Sequence, residues 1–356
     1  MSLEVLLIGG TGPTGPFVVE GLRARGARIT VLHRGTHELP ELEDLEHIHV
    51  DPHDSAALAQ AIGDRRFDVA VVMYGRLKEI AEILAGKAGY VIAIGGTNYA
   101  LGDHPWLTEG HAYRSTRAGA KMLEAEQALF RLAAKGAYSA TLLRYANVYG
   151  PRQIAPREWS LVRRFRDGRR RFLLCDSGIT LETRIFSRNG AAAVLAAYDN
   201  PQKAAGQSFN VADDYPLTDR ERLAIVAAAV GAGDHEVLSI PTALARPAWF
   251  WSVGRNGNKP GEVPEIGHRL LSIEKIRREL GYRAPATPEE GLRETVRFYL
   301  ENPPEPGGLI EQKLGDPFDY EGEDRYFAAW ERLAAELAKV ELRPLASHYG
   351  YRLPKR

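Results

Sequence analysis

Glycines at 9, 12 and 15 close an apolar run, Val5-Leu6-Leu7-Ile8, and stand directly before a helix-like segment, Pro16 to Arg25. A strand, a tight turn and a helix N-terminus in series form a phosphate cradle. Glycine lets the backbone come close, and the helix end offers N–H donors and a positive dipole. A second apolar run, Ala27 to His33, supplies the next strand of a βαβ unit. That context turns a weak glycine pattern into an expectation of dinucleotide binding. The cradle residues are then Gly9, Thr11, Gly12, Pro13, Thr14 and Gly15. After the second strand, NAD-binding units usually place Asp or Glu, about 20 residues past the glycines, on the ribose 2′-hydroxyl. Here Ile29 to Gly35 contains no acid, and Arg34 stands at its end. A guanidinium pairs well with a 2′-phosphate, so the expected cofactor is NADP(H). NAD stays open, because Glu38 is near enough in sequence to swing in.

These residues need a scaffold. Apolar runs alternate with helical segments through the first 150 residues. Strands are expected at Val5–Ile8, Arg28–Leu32, Glu46–Val50, Val69–Met73, Tyr90–Ile94 and Ala140–Leu143. Helices are expected at Pro16–Arg25, Ser55–Ile62, Leu77–Ala85 and Arg114–Lys135. Such alternation implies a parallel sheet with helices on both faces, and ligands bound beyond the carboxyl ends of its strands. Further on, helices are expected at Ser187–Asn200, Thr218–Val230, Ser272–Leu280, Pro288–Glu301 and Glu321–Leu342, with a short strand at Ser208–Val211. The arginines from 163 to 171 read as a solvated helix face.

Composition narrows the class. Lys plus Arg and Asp plus Glu both number 46, so no net field draws the chain to nucleic acid or an anionic membrane. The single cysteine, Cys175, excludes an intrachain disulfide and cysteine-based zinc sites. No apolar run reaches membrane-spanning length and no leader precedes the first strand, so a cytoplasmic protein is expected. His47, His49 and His53 fall near Asp51 and Asp54, but on a strand and its exit loop, and no metal site is expected there.

Several longer segments together resemble the extended short-chain dehydrogenase/reductase superfamily, the NAD-dependent epimerase/dehydratase group. Leu143-Arg144-Tyr145-Ala-Asn147-Val-Tyr149-Gly150-Pro151-Arg152 looks like that family's LRxxNVYGPR segment. Phe209-Asn210-Val211 with Leu217-Thr218, Ser272 to Gly281 and Pro288 to Gly291 resemble its later elements. The resemblance covers about residues 3 to 300. It implies a Rossmann-type doubly wound parallel sheet with a smaller C-terminal substrate-binding lobe. Residues 1–150 would form the dinucleotide domain, with later returns between 180 and 215; 151–302 would be mainly the substrate lobe, and 303–356 a helical extension.

The resemblance also implies an oxidoreductase or epimerase that passes hydride between nicotinamide and a small carbonyl, alcohol or nucleotide sugar. A tyrosine moves the proton, a hydroxyl orients the substrate oxygen, and a cation lowers the tyrosine from its ordinary pKa of about 10. Tyr113, Thr97 and Arg117 match those places, Arg117 standing where the family has lysine. Tyr113 is expected to start a helix, so that position 117 lies one turn on and on the same face. An arginine can hold ribose hydroxyls but makes a poor proton relay. Asp51 matches an adenine contact; Met73, Tyr74, Tyr145 and Asn147 fall along the cofactor; Tyr74, Asn98, Asn147, Arg152 and Arg184 fall to the substrate. Asp103 and Glu109 are loose acid–base candidates, and Trp249 to Trp251 read as core or pocket wall.

Two other readings stay in view. Arg117 suits a dinucleotide-binding scaffold that has lost its chemistry, and Glu158 to Arg171 is loosely similar to an RNA-binding branch of the superfamily, though the neutral charge argues against strong RNA binding. Tyr326, Phe327, Trp330, Leu333, Leu337 and Val340 form one apolar helical stripe, of a kind that packs on its own core or on a twin subunit; a homodimer is expected, with no helices assigned to its interface.

Overall fold

Residues 5 to 8 are apolar without interruption because both faces of their strand are covered, as parallel sheets require. In the computed structural model, which describes residues 2–36, 38–100, 106–241, 244 and 268–343, the chain runs β1 (Glu4–Ile8), α1 (Gly15–Ala24), β2 (Arg28–His33), β3 (Glu46–His49), α2 (Ser55–Ile62), β4 (Phe67–Val72), α3 (Leu77–Ile83) and β5 (Ala88–Gly96). It continues through β6 (Trp106–Leu107), α4 (Arg117–Ala134), β7 (Ser139–Tyr145), β8 (Asn147–Tyr149), α5 (Arg157–Arg166), β9 (Arg171–Cys175), β10 (Leu181–Glu182) and β11 (Arg184–Phe186). Then come α6 (Ser187–Asp199), α7 (Pro201–Ala204), β12 (Gln207–Val211), β13 (Leu217–Thr218), α8 (Asp219–Ala229) and β14 (Glu236–Ile240). The last are β15 (Leu270–Leu271), α9 (Glu274–Leu280), α10 (Pro288–Glu301), α11 (Leu309–Leu314) and α12 (Tyr320–Leu337). Residues 1–316 form one unit and 317–356, which hold α12, another.

The main sheet has seven strands in the order β12-β7-β5-β4-β1-β2-β3, and each neighbouring pair is parallel. This is the Rossmann-type α/β architecture. Side chains alternate across it with period two. Val5 and Leu7 pack with Val18, Val19 and Leu22 of α1, while Leu6 and Ile8 pack on the other face with Leu58 and Ile62 of α2. The chain order reverses on either side of β1, so the crevice between the ends of β1 and β4 is the switch point where such sheets bind ligands.

Small paired strands build the rest of the unit: β8 with β11, β10 with β13, β9 with β14, and β6 with β15. Both α8 and α10 begin with capping boxes, Thr218 with Glu221 and Thr287 with Glu290, each satisfying two otherwise unpaired end groups.

Two expectations fail here for local reasons. The helix expected from Arg114 starts at Arg117, because Thr116 caps it, accepting from Gly119 N, while Arg114 N bonds Asn98 O and Tyr113 bridges Tyr99 in an antiparallel pair. Tyr113 and Arg117 are therefore not one helical turn apart. The arginines of α5 are not all solvated either. Arg164 is buried and grips Asp316 through two bonds, at 2.6 and 3.0 Å, and Arg163 pairs with Glu311. The β9–β14 pair was not apparent in the sequence, since its strands lie 60 residues apart and are only five residues long.

Candidate functional site

The turn between β1 and α1 shows why each glycine is there. Gly9 has φ +89°, and a Cβ on it would fall 2.4 Å from Tyr74 Cβ at the end of β4. A Cβ on Gly15 would fall 1.8 Å from Gly10 O, so this glycine lets the helix start lie against the turn. A Cβ on Gly12 would meet nothing within 4 Å. The crown of the turn is thus open on one side and locked by close packing on the other. Because Pro13 and Pro16 lack N–H groups and Gly15 N bonds Gly12 O, a phosphate here would draw on the amides of Thr11, Gly12 and Thr14. These residues fit the diphosphate of a dinucleotide.

A cavity of about 310 Å³ opens from this crown. Gly9, Thr11, Gly12, Pro13, Thr14, Arg34, Met73, Tyr74 and Tyr145 line it, nine of the thirteen residues expected along the cofactor. Gly15 lies behind the turn. Asp51 is exposed beside Pro52, a cavity residue, and its carboxylate accepts from His53 N at 3.0 Å. Arg34 is exposed at the rim, with its guanidinium 5.7 Å from the Tyr74 ring centroid. Glu38 lies against His33, His47 and His49. Gln153, Ile154 and Lys313 complete the wall; nothing in their local sequence marked them.

Tyr145 also lines a second cavity, of about 180 Å³. Thr97, Asn98 and Asn147 line it too, joined by Glu182, Thr183 and Arg269, which the sequence did not single out. Thr97 Oγ1 donates to Tyr145 O at 3.2 Å, and Asn147 Nδ2 to Glu182 Oε1 at 3.0 Å. Burial works to raise the Glu182 carboxyl, but Arg157, Arg184 and Arg222 outweigh it and hold the group well below the usual carboxylate range. This wall presents a fixed negative charge inside a ring of guanidinium groups.

Arg184 is buried between Glu158 and Glu182, at 2.8 and 2.9 Å, and lines a cavity of about 210 Å³ that also takes in Asn147. Its Nη2 is buried without a hydrogen-bond partner. Arg152 takes φ +63° and pairs with Glu41, with its guanidinium over Phe298.

Tyr113 stands elsewhere. It lines a cavity of about 630 Å³ with Lys121 and Glu126, which meets the Thr97 cavity only at Gly96 and Met122. Its hydroxyl donates to Glu126 Oε2 at 2.9 Å, and Glu126 Oε1 accepts from Arg144 at 2.6 Å and Ser208 at 2.7 Å. Burial raises the Tyr113 pKa far above its ordinary value, and the Glu126 charge raises it further. Arg117 is exposed at the start of α4. Glu109 accepts from Asn210 N at 2.7 Å. Asp103 and Trp249 to Trp251 lie outside the described residues.

Comparison with known proteins agrees with this fold. Residues 103–212, the stretch from before Tyr113 through β12, match the model of the NAD dependent epimerase/dehydratase family. That stretch, under a third of the chain, is similar to the family, and the Rossmann-type fold is shared along most of the length. Among solved structures that share this fold, UDP-glucose 4-epimerase of Thermus thermophilus, in complex with NAD, has a TM-score of 0.65 at 20% identity, over 84% of this chain and 99% of that one. UDP-glucose 4-epimerase of Thermotoga maritima, with UDP-glucose, has 0.65 at 18%, over 84% and 99%. The dTDP-glucose 4,6-dehydratase of Bacillus anthracis, with NAD, has 0.67 at 16%, over 85% and 98%. No curated protein sequence matches the chain. Among the described residues, no helix is long and apolar enough to cross a membrane.

Proposed function

We propose that the protein binds a nicotinamide dinucleotide, NADP(H) ahead of NAD(H), and works on a carbonyl or alcohol carbon of a small molecule or nucleotide sugar. The observation that carries this reading is the open crown at Gly12, facing a cavity that runs past Met73 and Tyr74 to Tyr145. The coenzyme, when bound, supplies or accepts hydride. The chain's own residues do the rest. Amides of the glycine turn hold the diphosphate, and Arg34 pairs with the 2′-phosphate while Glu38 stays on the histidines. Thr97 orients the substrate oxygen in the cavity beyond Tyr145, with Asn98 and Asn147 at its wall. Arg184, through its unpartnered Nη2, is positioned for an anionic substrate group. Tyr113 moves the proton once its hydroxyl leaves Glu126. The UDP-glucose held by one structural relative supports a nucleotide sugar as substrate.

One observation favours a second reading. With Tyr113 bound to Glu126 and Arg117 exposed, the proton-transfer group is not assembled around Thr97. A scaffold that binds the dinucleotide without turning it over would look like this. Hydride exchange from labelled NADPH, measured against a panel of nucleotide sugars and small ketones, separates the two. Tyr113-dependent exchange supports the enzyme, and tight binding with no exchange supports the scaffold. We further propose a cytoplasmic homodimer that uses the α12 stripe, where Leu333 and Leu337 are exposed. A monomer by light scattering at micromolar concentration contradicts the dimer.

A further inference from the structure

Three imidazoles converge at the outer edge of the main sheet. In the β2–β3 register His33 pairs with His49 and Val31 with His47, so the three histidines share one face of adjoining strands. Glu38, from the segment after β2, closes over them. One ligating atom from each of these four residues lies within 4.8 Å of every other. His33 Nε2 and His47 Nδ1 are 2.7 Å apart, Glu38 Oε2 is 3.8 Å from both, and Glu38 Oε1 is 3.2 Å from His49 Nε2. A tetrahedral ion with bonds of about 2.0–2.1 Å needs its ligands about 3.3 Å apart, which these separations bracket.

The outer shell suits ligation. His47 Nε2 sits 2.8 Å from Leu42 O, and a carbonyl only accepts. The ring therefore carries its proton there and turns a bare Nδ1 inward, the arrangement found behind metal-bound histidines. Gly35 takes φ +71°, where a side chain would be strained, and a Cβ on it would fall 3.4 Å from the His49 ring.

We propose that His33, Glu38, His47 and His49 form a structural site for a divalent transition ion of the zinc class. The expectation of no metal rested on His47, His49 and His53 with Asp51 and Asp54; the fold parts that set, with His53 on Asp51 and Asp54 capping α2, and recruits His33 and Glu38 from β2 and its exit. Ligation asks one rearrangement. His33 now accepts from Gly35 N at 3.2 Å and shares its Nε2 proton with His47; it must move that proton to Nδ1. Two hydrogen bonds, from Gly35 N and to His47, are exchanged for ligation by both rings. The ion would fasten Glu38 to β2 and β3, beside the cavity that His33 also lines.

The test needs no substrate and no coenzyme. Chelator-treated full-length protein is dialysed against Zn²⁺ alone or Co²⁺ alone. We expect one ion per chain, and a Co²⁺ complex with the intense visible bands of four-coordinate geometry. Glu38→Gln and His49→Gln, both at half-exposed side chains whose replacement leaves the core intact, should each weaken binding at least about tenfold. His53→Ala should leave it unchanged. No stoichiometric binding, a pale six-coordinate spectrum, or affinity indifferent to both variants overturns the proposal.

Discussion

The Tyr113 hydroxyl donates to Glu126 at 2.9 Å, and the Arg144 guanidinium holds the other oxygen of that carboxylate at 2.6 Å. Arg144 belongs to the Leu143–Arg152 segment, so the stretch most telling for the superfamily also locks the residue expected to move the proton. If Tyr113 carries the proton, its release from Glu126 is a condition for turnover. Glu126→Gln removes the charge that raises the phenol and frees it to ionise at lower pH. If Tyr113 is the proton carrier, the alkaline limb of the rate profile moves down in this variant, and Tyr113→Phe loses on the order of a hundredfold or more in kcat with cofactor affinity near normal. Full activity in Tyr113→Phe would remove the residue from the chemistry.

Gly12 and Gly15 separate fold from function. Gly12→Ala puts a methyl into open space on the cradle side. It should melt like the parent and lose about tenfold or more in dinucleotide affinity. Gly15→Ala drives a methyl to 1.8 Å from Gly10 O. It should lower the melting temperature, because the backbone has to move. Equal effects of the two on stability would contradict the division of labour described for the turn.

Arg34→Ala tests coenzyme choice. A charged hydrogen bond contributes about 1.5–3 kcal/mol, so NADP affinity should fall roughly ten- to a hundredfold while NAD affinity hardly changes. Titration calorimetry with both coenzymes gives the answer, and an equal loss for both would mean that Arg34 does not read the phosphate.

Asp213 sets a pH dependence of stability. Burial raises its carboxyl to about 6, against bonds from Phe186 N, Asn189 and the Tyr149 hydroxyl that lower it. An unfolded Asp titrates near about 3.9. Between these values the folded state binds more protons than the unfolded one, so this residue's contribution is fully present below about pH 4 and is lost as pH rises through about 6. The difference is on the order of 2–3 kcal/mol. Asp213→Asn should remove that step. The Tyr149 hydroxyl can then donate to Pro288 O, 3.2 Å away. A melting profile with the same step in the variant would place its origin elsewhere.

The buried pair of Arg164 and Asp316 gives a stability test. Asp316→Ala takes two charged hydrogen bonds from a buried guanidinium, so it should cost about 3–5 kcal/mol in denaturant unfolding. A cost under about 1 kcal/mol would mean that water reaches Arg164.

Much of this was legible in the sequence, for identifiable reasons. Strands such as β1 and helices such as α2 and α10 announce themselves through unbroken apolar runs, capping residues and Pro288 at a helix start. Glycine spacing marked the cradle, and nine residues expected at the cofactor line one cavity. The rest depended on distance in the chain. Glu182 and Arg269 meet Thr97 only because β10 and the chain before β15 fold back across the sheet ends. His33 and Glu38 meet His47 and His49 through strand pairing, which no local spacing encodes. Tyr113 misled because Thr116, a strong cap, starts the helix three residues later than the apolar pattern suggests.

The central claim is that the Gly9–Gly15 turn holds a nicotinamide dinucleotide, and calorimetric titration of the parent protein with NADP and NAD tests it most directly, with Gly12→Ala as the matched variant. The account predicts one site per chain, NADP tighter than NAD, and a clear loss in a Gly12→Ala protein that melts normally. Absence of binding for both coenzymes in the parent protein, or binding that Gly12→Ala leaves untouched, would contradict it.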